Sequence, residues 1–304
     1  MDVVAYVAGM PSLREQSLVG LAHLDAVTAL LQRIRRTHAT AGLWEAADRQ
    51  WSWRTPRSTD DLPQLFWFDE DGQPAAAVIT TDSAHGVGFD PMFMPDVGPD
   101  QVARVVNRGL AHAAECGFDE VDLEVDRADD VLRAVLFDHG FTIKEDGAVE
   151  AWLSADARPQ ISPIPENYRL SSRADSTNGL HHMANAERNH ADVEERLQQT
   201  SLYRPDLDLV VHDQHGNVAA YGLFWHDPVT AAGLVEPMRT EDDHQRRGLA
   251  RHVLTAGVDL LANVGAERIK IVYDPDNPAS GHLYRSVGFE PHRHTDTLVG
   301  PTTP

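Results

Sequence analysis

Two hydrophobic periods alternate along the second half of the chain, one of two residues and one of three to four. YRLSSR at 168–173 reads as a short strand, and residues 174–200 as one or two helices. DLDLVVHD and NVAAYGLFWHD flank the turn QHGN and predict a hairpin. AAGLVEPMRT and RIKIVYD predict two further strands, and FEPHRHTDTLVG a last strand or pair. Between them Leu249, Val253, Ala256, Leu260 and Val264 recur at helical spacing, with Gly265 as the stop. NPASGHLYRSVG predicts a second helix, capped by Asn277. This order implies an α/β class with a mixed sheet and helices on both faces.

The pattern occurs twice. GFDEVDLEVDRADDVLRAVLFDHGF at 117–141 and GAERIKIVYDPDNPASGHLYRSVGF at 265–289 run in step: glycine, alternating strand, acidic turn, amphipathic helix, Gly-Phe. Upstream, FDPM at 89–92 answers VEPM at 235–238, and DEDGQPAAAVIT at 69–80 answers DQHGNVAAYGLF at 213–224. Three collinear matches predict two homologous domains. The proline-rich, polar stretch 154–168 supplies the junction, giving domains at 1–156 and 168–304 joined by a linker at 157–167.

Composition narrows the partners. The formal charge of −21 argues against broad nucleic-acid or anionic-membrane surfaces, and Lys144 and Lys270 are the only lysines. No apolar run approaches the ~20 residues that span a bilayer. The acidic start MDVVAYVAG lacks a signal-peptide pattern and, with the single Cys116, points to a cytoplasmic protein. Cys116 reads as an inert core thiol. His181, His182, His292 and His294 lack cysteine partners or HExxH spacing, so they read as surface residues and no metal is expected.

Against this acidic background, HQRRGLARHVL at 244–254 places two arginines and a glycine where a helix begins. A helix start offers unpaired N–H groups and the positive end of a dipole, which together make an anion site. Gly248 allows close backbone approach, and Arg246 and Arg247 can add charge-assisted contacts to a pyrophosphate. The first copy has Val97 to Val102 at this place, with Pro99 lacking an N–H and Asp100 where Gly248 stands.

The order of Gln245, Arg246, Arg247, Gly248, Leu249 and Ala250, followed by a strand, Asn277, Leu283-Tyr284 and Gly288-Phe289, resembles the GNAT N-acetyltransferase superfamily. The resemblance covers roughly 168–290 well and 60–141 in degenerate form. Ala250 replaces the commoner second glycine. Two copies with one intact loop are similar in layout to mycothiol synthases. The fold implied is two tandem GNAT-like acyl-CoA N-acyltransferase domains, the first degenerate.

The resemblance implies acetyl-CoA as acyl donor, a small-molecule amine as acceptor, direct attack in a ternary complex and no metal. Pro237 cannot donate to a sheet ladder and marks a bulge or strand separation. By resemblance the pantetheine arm pairs with the edge Met238, Arg239 and Thr240, an N–H near Met238 meets the developing oxyanion, and Asn277 holds the pantetheine amides. Tyr284 is implied as the acid that protonates the departing thiolate. Glu236 is the candidate base, with His226 and Asp227 as alternatives. A non-catalytic acyl-CoA sensor would keep the loop and dispense with Tyr284 and the base. Either a monomer or a homodimer fits.

Overall fold

The computed structural model describes residues 13–83, 86–175, 178–186 and 188–303. The strands in chain order are β1 (Arg14–Leu18), β2 (Gln64–Phe68), β3 (Pro74–Ser83), β4 (Gly86–Phe93), β5 (Glu120–Asp126) and β6 (Thr142–Ser154). They continue as β7 (Tyr168–Ser172), β8 (Asp208–Asp213), β9 (Val218–Asp227), β10 (Ala232–Thr240), β11 (Arg268–Tyr273) and β12 (Glu290–Pro301). The helices are α1 (Gly20–Thr37), α2 (Ala46–Ser52), α3 (Pro99–Glu115), α4 (Asp130–Asp138), α5 (His182–Asn185), α6 (Val193–Gln198), α7 (Leu249–Asn263) and α8 (Pro278–Val287). Each element of one half has its counterpart in the other, in the order the repeat predicts. The helical content of 174–200 reduces to the short α5 and α6, and the last segment is one long strand, β12.

All strands described join one 12-stranded sheet in the order β1-β2-β3-β4-β5-β12-β6-β11-β10-β9-β8-β7. Every pairing is antiparallel except β4 with β5 and β10 with β11. The halves interlock at the centre: β6 pairs with β11, β12 pairs with β5, and the two exchanged strands pair with each other. No backbone edge is left open at this seam.

Successive strand residues feed opposite faces. Leu209, Val211 and Phe224 pack with α7 and α8, whereas Val210, Leu223 and Trp225 pack with residues of α1, α2, α5 and α6. Helices α3 and α4 cover the first half with their own cluster. Helix α7 lies unusually close to β9, because a Cβ on Gly257 would fall 2.1 Å from the Phe224 ring. Helix α2, from the first half, lies over β9 and β10 of the second. Its Asp48 reaches Lys270 of β11 at 3.0 Å, an ion pair with both partners buried.

Candidate functional site

Parallel pairing of β10 with β11 runs from Ala232 opposite Arg268 to Val235 opposite Ile271 and goes no further. Strand β10 continues against β9, with Met238 opposite Gly222, Arg239 opposite Tyr221 and Thr240 opposite Ala220. A register shift separates Val235 from Met238, at Pro237, whose peptide bond to Glu236 is cis. The Trp225 indole donates to the Glu236 carbonyl at 2.8 Å and pins the bulge. One edge of Met238–Thr240 therefore faces a cleft instead of a strand. The hydroxyl of Thr240 is buried with no hydrogen-bond partner.

The cleft has a volume of about 540 Å³ and is lined by Glu236, Met238, Tyr273, Asn277, Ser280 and Tyr284, among others. Met238 turns its side chain inward over Gly222, where a Cβ would stand 2.7 Å from the Met238 sulfur. Asn277 caps α8, accepting from the Ser280 N–H at 3.3 Å through Oδ1 and leaving its NH₂ group as a donor at the rim.

Helix α7 begins after a tight turn at Asp242–His244 and the intervening Gln245 to Gly248. Gly248 has φ +81°, and space is open where its side chain would be. Arg246 also adopts a left-handed conformation, at φ +59°, rare for a residue with a Cβ. Helix α7 has neither a side-chain cap nor an acid in its first turn, so its leading N–H groups lack intrahelical partners. Gln245, Arg246, Arg247 and Gly248 are exposed, while Leu249 is buried and anchors the turn. Two side chains brace the turn from within it: Arg247 donates to Asp243 O at 2.9 Å and Gln245 to Asp242 at 3.2 Å. Arg247 also donates to the Tyr168 hydroxyl at 3.0 Å, and Arg239 pairs with Asp242 at 2.9 Å. The donor set suits a pyrophosphate. The matching helix α3 begins with Gly98, Pro99 and Asp100, which offer one N–H fewer and a negative charge.

Tyr284 is buried against Tyr273 and Phe289, its ring 5.6 and 6.3 Å from theirs. Burial first, then the neighbouring Glu236, pushes its phenol up to about 12. Glu236 lies at the cleft bottom, open to the cavity but otherwise surrounded by protein. Desolvation chiefly, then the adjacent Asp48 carboxyl, pushes it up to about 8. Glu236 also lines a second cavity, of about 370 Å³, on the α2 side of the sheet. A group entering by that side and one lying along β10 would meet at Glu236.

Several sequence expectations need correction. His226 and Asp227 stand opposite Gly233 and Ala232, at the far end of β10 and outside the cleft. Asp227 already accepts from Gln32 and the Val229 N–H, at 3.1 and 2.9 Å. His181 and His182 are buried rather than superficial, because the fully buried Asp208 carboxylate needs partners. His181 accepts the Met183 N–H through Nδ1, so its Nε2 carries the proton it donates to Asp208 at 2.6 Å. His182 Nε2 lies 3.0 Å from the other Asp208 oxygen, off the hydrogen-bonding direction. His292 and His294 are exposed, as expected. Cys116 is half-buried at the end of α3 instead of in the core, and burial raises its thiol, consistent with low reactivity. Sequence reasoning missed Asp48, whose approach to Glu236 depends on long-range packing, and Trp225, which reaches Glu236 from the neighbouring strand β9. The opening residues read for localisation lie outside the described residues; no helix among those described is long and apolar enough to cross a membrane.

The chain is similar to known proteins in ways that match this geometry. Residues 173–289 match the acetyltransferase (GNAT) family model. A mycothiol acetyltransferase of Clavibacter michiganensis subsp. michiganensis is 25% identical over 280 residues, covering 87% of this chain and 88% of the relative. Another, from Tsukamurella paurometabola, is 32% identical over 77 residues, 24% of this chain and 26% of the relative. Among solved structures, a tandem GNAT protein from the clavulanic acid biosynthesis pathway superposes with a TM-score of 0.70 at 14% identity, over 96% of this chain and 99% of that one. A GCN5-related N-acetyltransferase from Sphaerobacter thermophilus gives a TM-score of 0.64 at 14% identity, over 96% of each chain. The chain thus has the tandem GNAT fold, and its residues 173–289 are a domain of the GNAT acetyltransferase family.

Proposed function

We propose that the protein transfers the acetyl group of acetyl-CoA to the amine of a small molecule, by direct attack in a ternary complex on the second half of the chain. The observation that carries this reading is the junction of two cavities at Glu236, one running along the free edge of β10, the other opening on the α2 side. We further infer a division at 157–167, with 1–156 as a degenerate unit and 168–304 as the working one.

Acetyl-CoA brings an activated thioester. The first-turn N–H groups of α7, with Gln245, Arg246, Arg247, Gly248, Leu249 and Ala250, hold its pyrophosphate. The edge Met238, Arg239 and Thr240, together with Asn277, holds the amide-bearing arm. Glu236 takes a proton from the incoming amine, whose free form is scarce near neutrality. The Met238 N–H donates to the carbonyl oxygen as charge grows on it. As the new C–N bond forms and the C–S bond breaks, Tyr284 gives its proton to the leaving thiolate. A phenol held near 12 stays protonated until that moment, and solvent restores both groups afterwards.

The test is release of CoA thiol from acetyl-CoA in the presence of a panel of primary amines. Amine-dependent release with a matching N-acetyl product supports the reading. Binding of acetyl-CoA without turnover across the panel would favour a sensor.

A further inference from the structure

The first half retains a cavity where its own parallel strands part. Strands β4 and β5 pair only at Gly88 opposite Asp122. Beyond that point lies a space of about 450 Å³ that the second half matches with its cofactor cleft. Its walls are apolar, with Leu31, Ile34, Met92, Val102, Val125 and Leu132 from both faces of the sheet. Arg293, which also lines it, is already held by Asp126 at 2.5 Å and Glu150 at 3.1 Å. The adjoining helix α3 starts with Pro99 and Asp100, and Asp96 and Asp129 flank the opening. Phosphates would meet like charge there, whereas a cation would be drawn in.

The cavity is also continuous with the reaction site. Trp44, Asp90 and Glu124 line both it and the α2-side cavity that ends at Glu236. Glu124 lines the β10 cleft as well, so one carboxyl borders all three spaces. Along this passage acids outnumber arginines: Asp48, Asp90, Asp122, Glu124 and Glu236 stand with Arg49, Arg54 and Arg57, and Arg49 is already paired with Asp90 at 2.7 Å. The passage thus has a carboxylate-lined end at the transfer site and an apolar end in the first half.

We infer that the acceptor is an amphipathic primary amine whose amine reaches Glu236 through the acidic seam while its apolar body fills the gap between β4 and β5. This inference rests on the proposed acetyl transfer and names its acceptor class. It also gives the degenerate half a role: the gap that in the second half takes the acyl donor would in the first take the acceptor's tail.

The experiment compares kcat/KM for ethylamine and hexylamine with acetyl-CoA, in the wild-type protein and in Met94→Trp and Val131→Trp. Met94 and Val131 line the cavity without being fully buried, and thermal melts together with acetyl-CoA titration check that each variant is folded. Each methylene buried should raise kcat/KM about 3-fold, so hexylamine, four methylenes longer, should exceed ethylamine on the order of 80-fold in the wild type. Both fillings should erase most of that gradient. A wild type that acetylates both amines equally overturns the inference and leaves acetyl transfer standing. If neither amine is acetylated, calorimetric titration with hexylamine decides separately. Binding that both fillings abolish supports the cavity and counts against the transfer reading, and absent binding overturns the cavity. A second acetyl-CoA bound in the first half would overturn it too.

Discussion

Asp48 of α2 and Glu236 of β10 come from opposite halves of the chain and line one cavity at the seam, where the Asp48 charge acts on Glu236 at close range. Burial is the main cause that disfavours the charged form of Glu236, and the like charge of Asp48, itself 3.0 Å from Lys270, adds to it. Glu236 therefore holds its proton well above the usual carboxylate range. The half without a phosphate loop thus tunes the acid-base group of the half that has one.

The pH profile should report this. Glu236 must be ionised to accept a proton, so kcat/KM should rise with pH through an inflection near 8. In Glu236→Gln the rate should be at least about 100-fold lower and that inflection absent. An inflection that persists in the variant would assign it to another group.

Stability should shift in a linked direction. The folded-state value lies above the unfolded one, so Glu236 favours folding while protonated, and this contribution fades as pH climbs from about 4.5 through about 8. Glutamine mimics the protonated form at every pH. Thermal melts should show Glu236→Gln gaining on the wild type between pH 6 and pH 9; parallel curves would contradict the shift.

Tyr284→Phe should lower kcat by on the order of 100-fold while leaving the acetyl-CoA Kd within about 3-fold, since the ring keeps its contacts with Tyr273 and Phe289. Stopped-flow turnover and equilibrium titration separate the two. Unchanged turnover would remove Tyr284 as the acid.

The buried Asp208 should behave as a structural charge. His181→Ala removes the 2.6 Å donor and leaves the carboxylate undercompensated, which should cost about 3 kcal/mol by urea denaturation. A loss under about 1 kcal/mol would show that His182 and Tyr203, which donates to Asp208 at 2.9 Å, suffice alone.

Much of this arrangement is legible in the sequence because it is local. The helix start at Leu249, the cap at Asn277 and the strand disruption at Pro237 each follow from residues within one turn or bulge. The repeat likewise foretold the order of elements in both halves. What escaped depends on topology. Nothing in the alternation of β6 or β12 says that each is inserted beside the other half's last parallel strand. Burial of His181 follows from the position of Asp208, 27 residues away. The approach of Asp48 to Glu236 needs α2 to lie across β10, a placement set by packing between distant segments.

The most direct measurement is calorimetric titration with acetyl-CoA of the wild type and Gly248→Asp. The aspartate would adopt a left-handed backbone at φ +81° and set a carboxylate among the phosphate donors. The account predicts one site per wild-type chain and binding at least about 100-fold weaker in the variant, with the thermal melt within a few degrees of wild type. Two sites, or one that survives the substitution, would contradict it.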